Sequence, residues 1–312
     1  MRKQLPIAYA LCISLFLFSY GCSSSKQAVD ENKDAAHGIE QESVLENIDA
    51  SSEKSNKPSS AVIKKEVSVS GPEGIESMIE GMTLREKIGQ LFFVPAYGIF
   101  KSNDDASYRE LIQQIRKHHI GGIIFFSGEI YGQAILTNKL QEASKIPLWI
   151  TQDMEYGAAM RVRGTTRFVP AMGVAATQNT DYAYWVGKVT AREAKALGVN
   201  QIYAPVLDVN NNPDNPVINV RSFSGDPKTV AAFGEAFING AESENVISTA
   251  KHFPGHGDTD TDSHISLPTI NYDYARLDSL ELVPFRSAIN NGLKSIMSAH
   301  IAFPKISNNP TM

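Results

Sequence analysis

The chain has 312 residues, 42% of them hydrophobic, 20% charged and 9% aromatic, with a formal net charge of −5 at pH 7. That apolar share can bury a sizeable core, and the acidic balance leaves no electrostatic footprint for nucleic acid. Two cysteines exclude a disulfide-stapled scaffold.

Met1-Arg2-Lys3 is positive and the stretch from Leu5 to Tyr20 is mostly apolar, shorter than the roughly 20 residues of a membrane span. It reads as a signal peptide over residues 1–21. Gly21-Cys22 and then Ser23-Ser24-Ser25 follow, and Gly-Cys at this point resembles a bacterial lipoprotein processing site. That resemblance implies lipidation of Cys22 and a membrane-anchored place in the cell envelope, although Phe18 and Ser19 stand where a leucine is usual. Cys12 leaves with the signal, so Cys22 has no internal disulfide partner; ordinary secretion with a free thiol is the alternative. Residues 22–72, rich in Ser, Lys, Glu, Asp and Asn, cannot bury enough apolar surface to offset chain entropy and read as a flexible tether.

From residue 73 to 312 the pattern is that of one folded domain. Thr83 with Glu86 three residues on predicts a capping box and a helical start. Gln90–Pro95 reads as a first strand, Ser107–His119 as a helix, Ile120–Phe126 as a second strand, Gln133–Ser144 as a helix and Pro147–Gln152 as a third strand. Gly198–Leu207 gives a fourth strand, Thr229–Asn245 a helix, Val246–Lys251 a fifth strand, Ser279–Asn291 a helix and Lys294–Ala299 a sixth strand. Continuous apolar strands alternating with helices mean a parallel sheet with helical crossovers. The fold class is α/β, and about 240 residues of this kind suggest a (β/α)8 TIM-type barrel, here carrying about six strands.

The stretch Lys251-His-Phe-Pro-Gly-His-Gly-Asp-Thr-Asp-Thr-Asp-Ser-His264 leaves the fifth strand and is dense in ionisable groups. His252, His256, Asp258 and His264 are metal-ligand types, but their spacing fits no helical two-histidine pair. Asp258-x-Asp260-x-Asp262 mimics a calcium loop that would need Gly and Glu where Ser263 and Thr269 stand. A solvated acidic turn is the plain alternative. As a proton-transfer pair, Asp262 and His264 project to one side of an extended loop, and a carboxylate on one ring nitrogen fixes the tautomer and stabilises the imidazolium.

Lys-His-Phe-Pro-Gly-His-Gly followed by Asp-Ser-His resembles the signature of the β-N-acetylhexosaminidases of glycoside hydrolase family 3, and Met82-Thr-Leu-Arg-Glu-Lys-Ile-Gly-Gln90 is similar to the way such chains open. The resemblance spans roughly residues 72–304. It implies a retaining glycosidase with Asp262–His264 as general acid/base, where most glycosidases use a carboxyl group. It also implies that Asp153, Arg161, Arg221, Lys251 and His252 hold the substrate. Each can be read structurally, since an aspartate after a strand is often a helix cap. Gathered at strand ends they form a sugar-binding ring, for carboxylates accept from paired hydroxyls and arginine donates in a plane. Asp208 is open between a structural and a binding role, and His300 follows the sixth strand.

The implied partners are an amino-sugar glycan or muropeptide and, through the lipid, a membrane, with the protein a monomer; no cofactor, metal or nucleic acid is implied. The family's nucleophilic aspartate lies after a seventh strand, which this chain is not expected to contain, and Asp273 and Asp278 fall in a helix approach instead. A fragment or a decayed copy would both fit, and the rivals in function are a non-catalytic wall-sugar binder and a metal-dependent hydrolase.

Overall fold

Thr83 shows how closely local chemistry fixes the entry to the domain. In the computed structural model, which describes residues 72–311, helix α1 (Pro72–Glu80) leads to α2 (Leu84–Gly89). Thr83 Oγ1 accepts from the Glu86 amide, and the Glu86 carboxylate accepts from the Thr83 amide at 2.9 Å, the reciprocal capping box expected. The signal peptide, the tether and Cys22 lie outside the described residues.

Strand β1 (Phe93–Gly98) begins three residues after the expected Gln90. The amides of Leu91 and Phe92 are already used in turns back to Ile88 and Gly89, so pairing starts only beyond them. Helix α3 (Ala106–His118), capped by Asp105 on the Tyr108 amide, returns the chain to β2 (Gly122–Glu129), and α4 (Ile130–Ala143) to β3 (Trp149–Gln152). Two residues, β4 (Val162–Arg163), extend the far end of β2, pairing Gly128 with Val162 and Glu129 with Arg163. After α5 (Ala171–Ala175) comes α6 (Thr180–Ala196), a helix the apolar spacing did not announce.

The fourth expected strand, Gly198–Leu207, is regular only over β5 (Gln201–Ile202). Pro205 has no N–H to give to a ladder. Its carbonyl still accepts from Lys251, Ala204 accepts from Thr249, and the Leu207 amide reaches Lys251 O at 2.7 Å, so the run stays tied to its neighbour. Helix α7 (Pro227–Glu242) starts with Asp226 capping the Thr229 amide and Pro227 in the first turn, where a missing N–H costs nothing. It feeds β6 (Ile247–Phe253), and α8 (Tyr274–Ser279) and α9 (Leu282–Asn290) lead to β7 (Ser295–Ser298).

All strand pairs are parallel, in the order β1-β2-β3-β5-β6-β7 with β4 beside β2, and no β7–β1 pairing occurs among the described residues. This is the α/β alternation of a barrel wall, open between β1 and β7. Phe125, Ile150, Ile202, Leu207 and Phe237 are fully or almost fully buried between sheet and helices. Each such side chain contributes roughly 1.5–3 kcal/mol. Parallel strands deliver their carboxyl ends to one face, where the polar side chains collect.

Candidate active site

Lys251, near the end of β6, is the hub. Its side chain is 3% exposed, and Nζ lies 2.8 Å from Asp153 Oδ1 and 2.8 Å from Glu155 Oε1. Asp153 directly follows β3, and its other oxygen accepts from Arg161 Nη2 at 3.0 Å. Glu155 takes a two-point grip from Arg221, Nη2 to Oε1 at 2.7 Å and Nε to Oε2 at 2.9 Å. Arg221 also donates to the Val217 carbonyl, which fixes its approach. The ring is an open arc along which the charges alternate, Arg161, Asp153, Lys251, Glu155 and Arg221, so each ion has an opposite neighbour.

Glu155 is the member that the sequence did not single out as functional. Burial pushes its carboxyl up, but the Lys251 charge and the Arg221 hydrogen bonds outweigh it and hold the group at about 2. Because 2 lies below the ordinary 4.5, the unfolded chain binds the extra proton first as pH falls. The expected result is a contribution to stability that is full above pH 4.5 and drains away towards pH 2. Thermal unfolding midpoints between pH 7 and 2.5 should therefore fall less steeply in Glu155→Gln than in the parent.

A second group stands beside the first. Asp208 is fully buried and receives the backbone amides of His252 and His256, the latter at 2.6 Å, while its Oδ2 lies 2.7 Å from His252 Nδ1. Burial pushes the Asp208 carboxyl up; the His252 and His256 interactions overcome it and the net shift is downward. Asp208 therefore orients His252, whose Nε2 has no protein hydrogen bond among the described residues. Burial lowers the His256 imidazole, opposed by Asp208, and its Nδ1 lies 2.6 Å from Thr259 Oγ1.

The motif loop is seated by contacts that need its glycines. A Cβ on Gly257 would lie 1.7 Å from the Val209 carbonyl oxygen, and one on Gly255, at φ +143°, would strike the Glu281 side chain. Buried Asn215 donates to the carbonyls of His256 and Gly257, binding the 210–218 segment to the loop. Glu281, itself buried, holds Arg276, whose guanidinium lies over the Tyr272 ring and 3.8 Å from Asp258.

Between these anchors the loop carries Asp262 and His264 outward. Asp262 Oδ1 accepts the His264 amide at 2.9 Å and lies 2.9 Å from His264 Nδ1, and the His264 side chain is 86% exposed. The His264 amide first, then its ring, hold the Asp262 carboxyl below its ordinary value. The structure thus brings Asp153, Arg161, Arg221 and Lys251 together with Glu155. It sets His252 on Asp208 and leaves Asp262–His264 as a separate pair that no hydrogen bond joins to the ring among the described residues. His252, His256, Asp258 and His264 do not converge: among the described residues no three His, Cys, Asp or Glu side chains are grouped to hold a metal ion.

A family model described as glycosyl hydrolase family 3 N terminal domain matches residues 83–312. Beta-hexosaminidase A of Pseudoalteromonas piscicida is 40% identical over 213 residues, covering 64% of this chain and 36% of that protein. Among solved structures, a glycoside hydrolase family 3 β-N-acetylglucosaminidase from Paenibacillus sp. str. FPU-7 superposes with a TM-score of 0.67 at 39% identity, covering 73% of this chain and 44% of that one. NagZ from Neisseria gonorrhoeae, in complex with N-trifluoroacetyl-D-glucosamine, gives a TM-score of 0.61 at 29% identity over 70% of this chain and 66% of its own. The chain thus spans little more than a third of the first of these relatives.

Proposed function

This chain belongs to the family of the glycosyl hydrolase family 3 N-terminal domain, and from that premise we propose that it serves a retaining β-N-acetylhexosaminidase that releases terminal β-linked N-acetylglucosamine from peptidoglycan fragments or other amino-sugar glycans. The observation that carries the reading is the arc of alternating charge formed by Arg161, Asp153, Lys251, Glu155 and Arg221 near the strand ends. Carboxylates accept from paired sugar hydroxyls, and the lysine and arginines donate to ring substituents.

In this reading Asp153, Arg161, Arg221, Lys251 and His252 hold the sugar, while Glu155 and Asp208 position the groups that touch it. His264, with Nδ1 held by Asp262, gives a proton from Nε2 to the leaving oxygen as the glycosidic C–O bond breaks. A carboxylate forms the glycosyl ester; the family resemblance puts it after the seventh barrel strand, the one following β7, which is itself the sixth because β4 only extends β2. His264 then takes a proton from water, and the resulting attack releases the sugar with its configuration retained. A neutral imidazole suits an anionic aglycone such as N-acetylmuramic acid, whose carboxylate would repel a second carboxylate. Anchoring in the envelope through Cys22 belongs to the same proposal and rests on the sequence alone.

The exposure of His264 and its separation from the ring favour one rival, a protein that binds wall sugars without turning them over. Release of nitrophenol from an aryl β-N-acetylglucosaminide, with the anomeric configuration of the first product read by NMR, separates the two. Turnover with retention supports the glycosidase; sugar affinity without turnover supports the binder.

A further inference from the structure

Asp262 and His264 stand on a loop whose two limbs are anchored at separate places. The outgoing limb is fixed as far as Thr259, whose hydroxyl accepts from Asn215 and bonds His256. The returning limb is fixed from Pro268, whose carbonyl accepts the Ala302 amide at 2.9 Å. Between these points residues 260–267 hydrogen-bond only to one another among the described residues. Such a span keeps much conformational freedom unless its neck is held.

What crosses the neck starts from a buried carboxylate. Glu281, just before α9, takes Nη1 of Arg276 on both oxygens, at 2.8 and 2.9 Å. The other nitrogen, Nη2, lies 3.8 Å from Asp258 Oδ2 on the outgoing limb. The guanidinium carbon stands 4.8 Å over the Tyr272 ring on the returning limb. The Tyr272 hydroxyl donates to the Asp258 carboxylate, which raises it above its ordinary value and closes the triangle. Burial pushes the Glu281 carboxyl up by more than Arg276 draws it down. A pair that repays its own desolvation so incompletely is poorly explained by stability alone.

We propose that Arg276 is a positioning residue for the reaction: held by Glu281, it clasps Asp258 to Tyr272 and so fixes the neck from which Asp262 and His264 are presented to the leaving oxygen. The inference rests on His264 being the general acid/base. Arg276 touches no sugar and moves no proton; it acts through the loop. A planar guanidinium suits the task, because it spends one edge on Glu281, another on Asp258 and a face on Tyr272, which an ammonium cannot do at once. Proton transfer is sensitive to such placement, a displacement of about 1 Å costing up to about 10²-fold in rate.

The test is kcat/KM of the full chain on two β-N-acetylglucosaminides, one with a nitrophenyl and one with an alkyl leaving group, in Arg276→Ala, Arg276→Lys and Asp258→Asn. Only the alkyl group needs a proton as it leaves. Arg276→Ala should therefore lose about 10–100-fold on the alkyl substrate and no more than about three-fold on the nitrophenyl one. Arg276→Lys and Asp258→Asn should show the same selectivity with smaller losses. Equal losses on the two substrates, or none on either, overturn the clasp. Asp258→Asn keeps the Glu281–Arg276 pair and decides the matter if Arg276→Ala does not fold. His264→Ala, run beside them, checks the premise. If it leaves the ratio of the two substrates unchanged, or if the chain turns over neither, the failure lies with the reading of the site and not with the clasp. The clasp is then judged by ¹⁵N relaxation: order lost at the amides of residues 260–267 but not in β6, in Arg276→Lys and Asp258→Asn, supports it, and order kept there overturns it.

Discussion

Glu155→Ala should destabilise the folded chain by about 3–5 kcal/mol, the cost of removing one partner from a buried ion pair. Domains have only about 5–15 kcal/mol in total, so this is a large share. The magnitude follows from what remains. Among the described residues Lys251, almost wholly buried, would keep only Asp153, and Arg221 only the Val217 carbonyl as a hydrogen-bond acceptor. Lys251 cannot reach bulk water without disturbing the strand that bears it, and Arg221, 28% exposed, would be only partly hydrated. Glu155→Gln keeps the volume and an acceptor oxygen and should lose less. Urea unfolding midpoints measure both, and a loss under about 1 kcal/mol for the alanine variant would mean the pairs are solvated more like surface ones.

His264→Ala should lower turnover of a substrate with a poor leaving group by about 10²–10⁴-fold, the usual contribution of a positioned acid/base. A nitrophenolate leaves without a proton, so the same variant should lose much less in forming the glycosyl intermediate from an aryl substrate. Stability should be unchanged, because the side chain is exposed and, among the described residues, bonded only to Asp262. Asp262→Asn should fall between the two enzymes, since it keeps an acceptor for Nδ1–H but no longer stabilises the imidazolium. Full activity of His264→Ala on the poor leaving group would remove His264 from the reaction.

Much of this architecture is legible in the sequence because its signals are local. The Thr83–Glu86 box, the Asp226-Pro227 start of α7 and the buried strand runs are each written in a few adjacent residues. Helix α6 is not, because its buried face is Ala183, Val186, Gly187, Thr190, Ala191 and Ala194, small residues with little apolar contrast against the charged ones between them. The fourth strand is expected too long because an apolar run does not reveal where Pro205 interrupts the ladder. In the site, Asp262 and His264 pair across two residues, though within a turn in which the Asp262 carbonyl accepts the Ile265 and Ser266 amides rather than along the extended loop expected. Glu155 escapes notice because its meaning depends on Arg221, 66 residues away, and on Lys251 further still, which no local pattern encodes.

Calorimetric titration of N-acetylglucosamine into the full chain and into its Asp153→Ala variant tests most directly whether the ring is a sugar site. Saturable one-to-one binding that weakens at least ten-fold in the variant is the predicted result, since Asp153 touches both Lys251 and Arg161 and faces the same strand-end surface. Equal affinity in the two proteins, with the variant still folded, would contradict it and place any sugar elsewhere on the molecule.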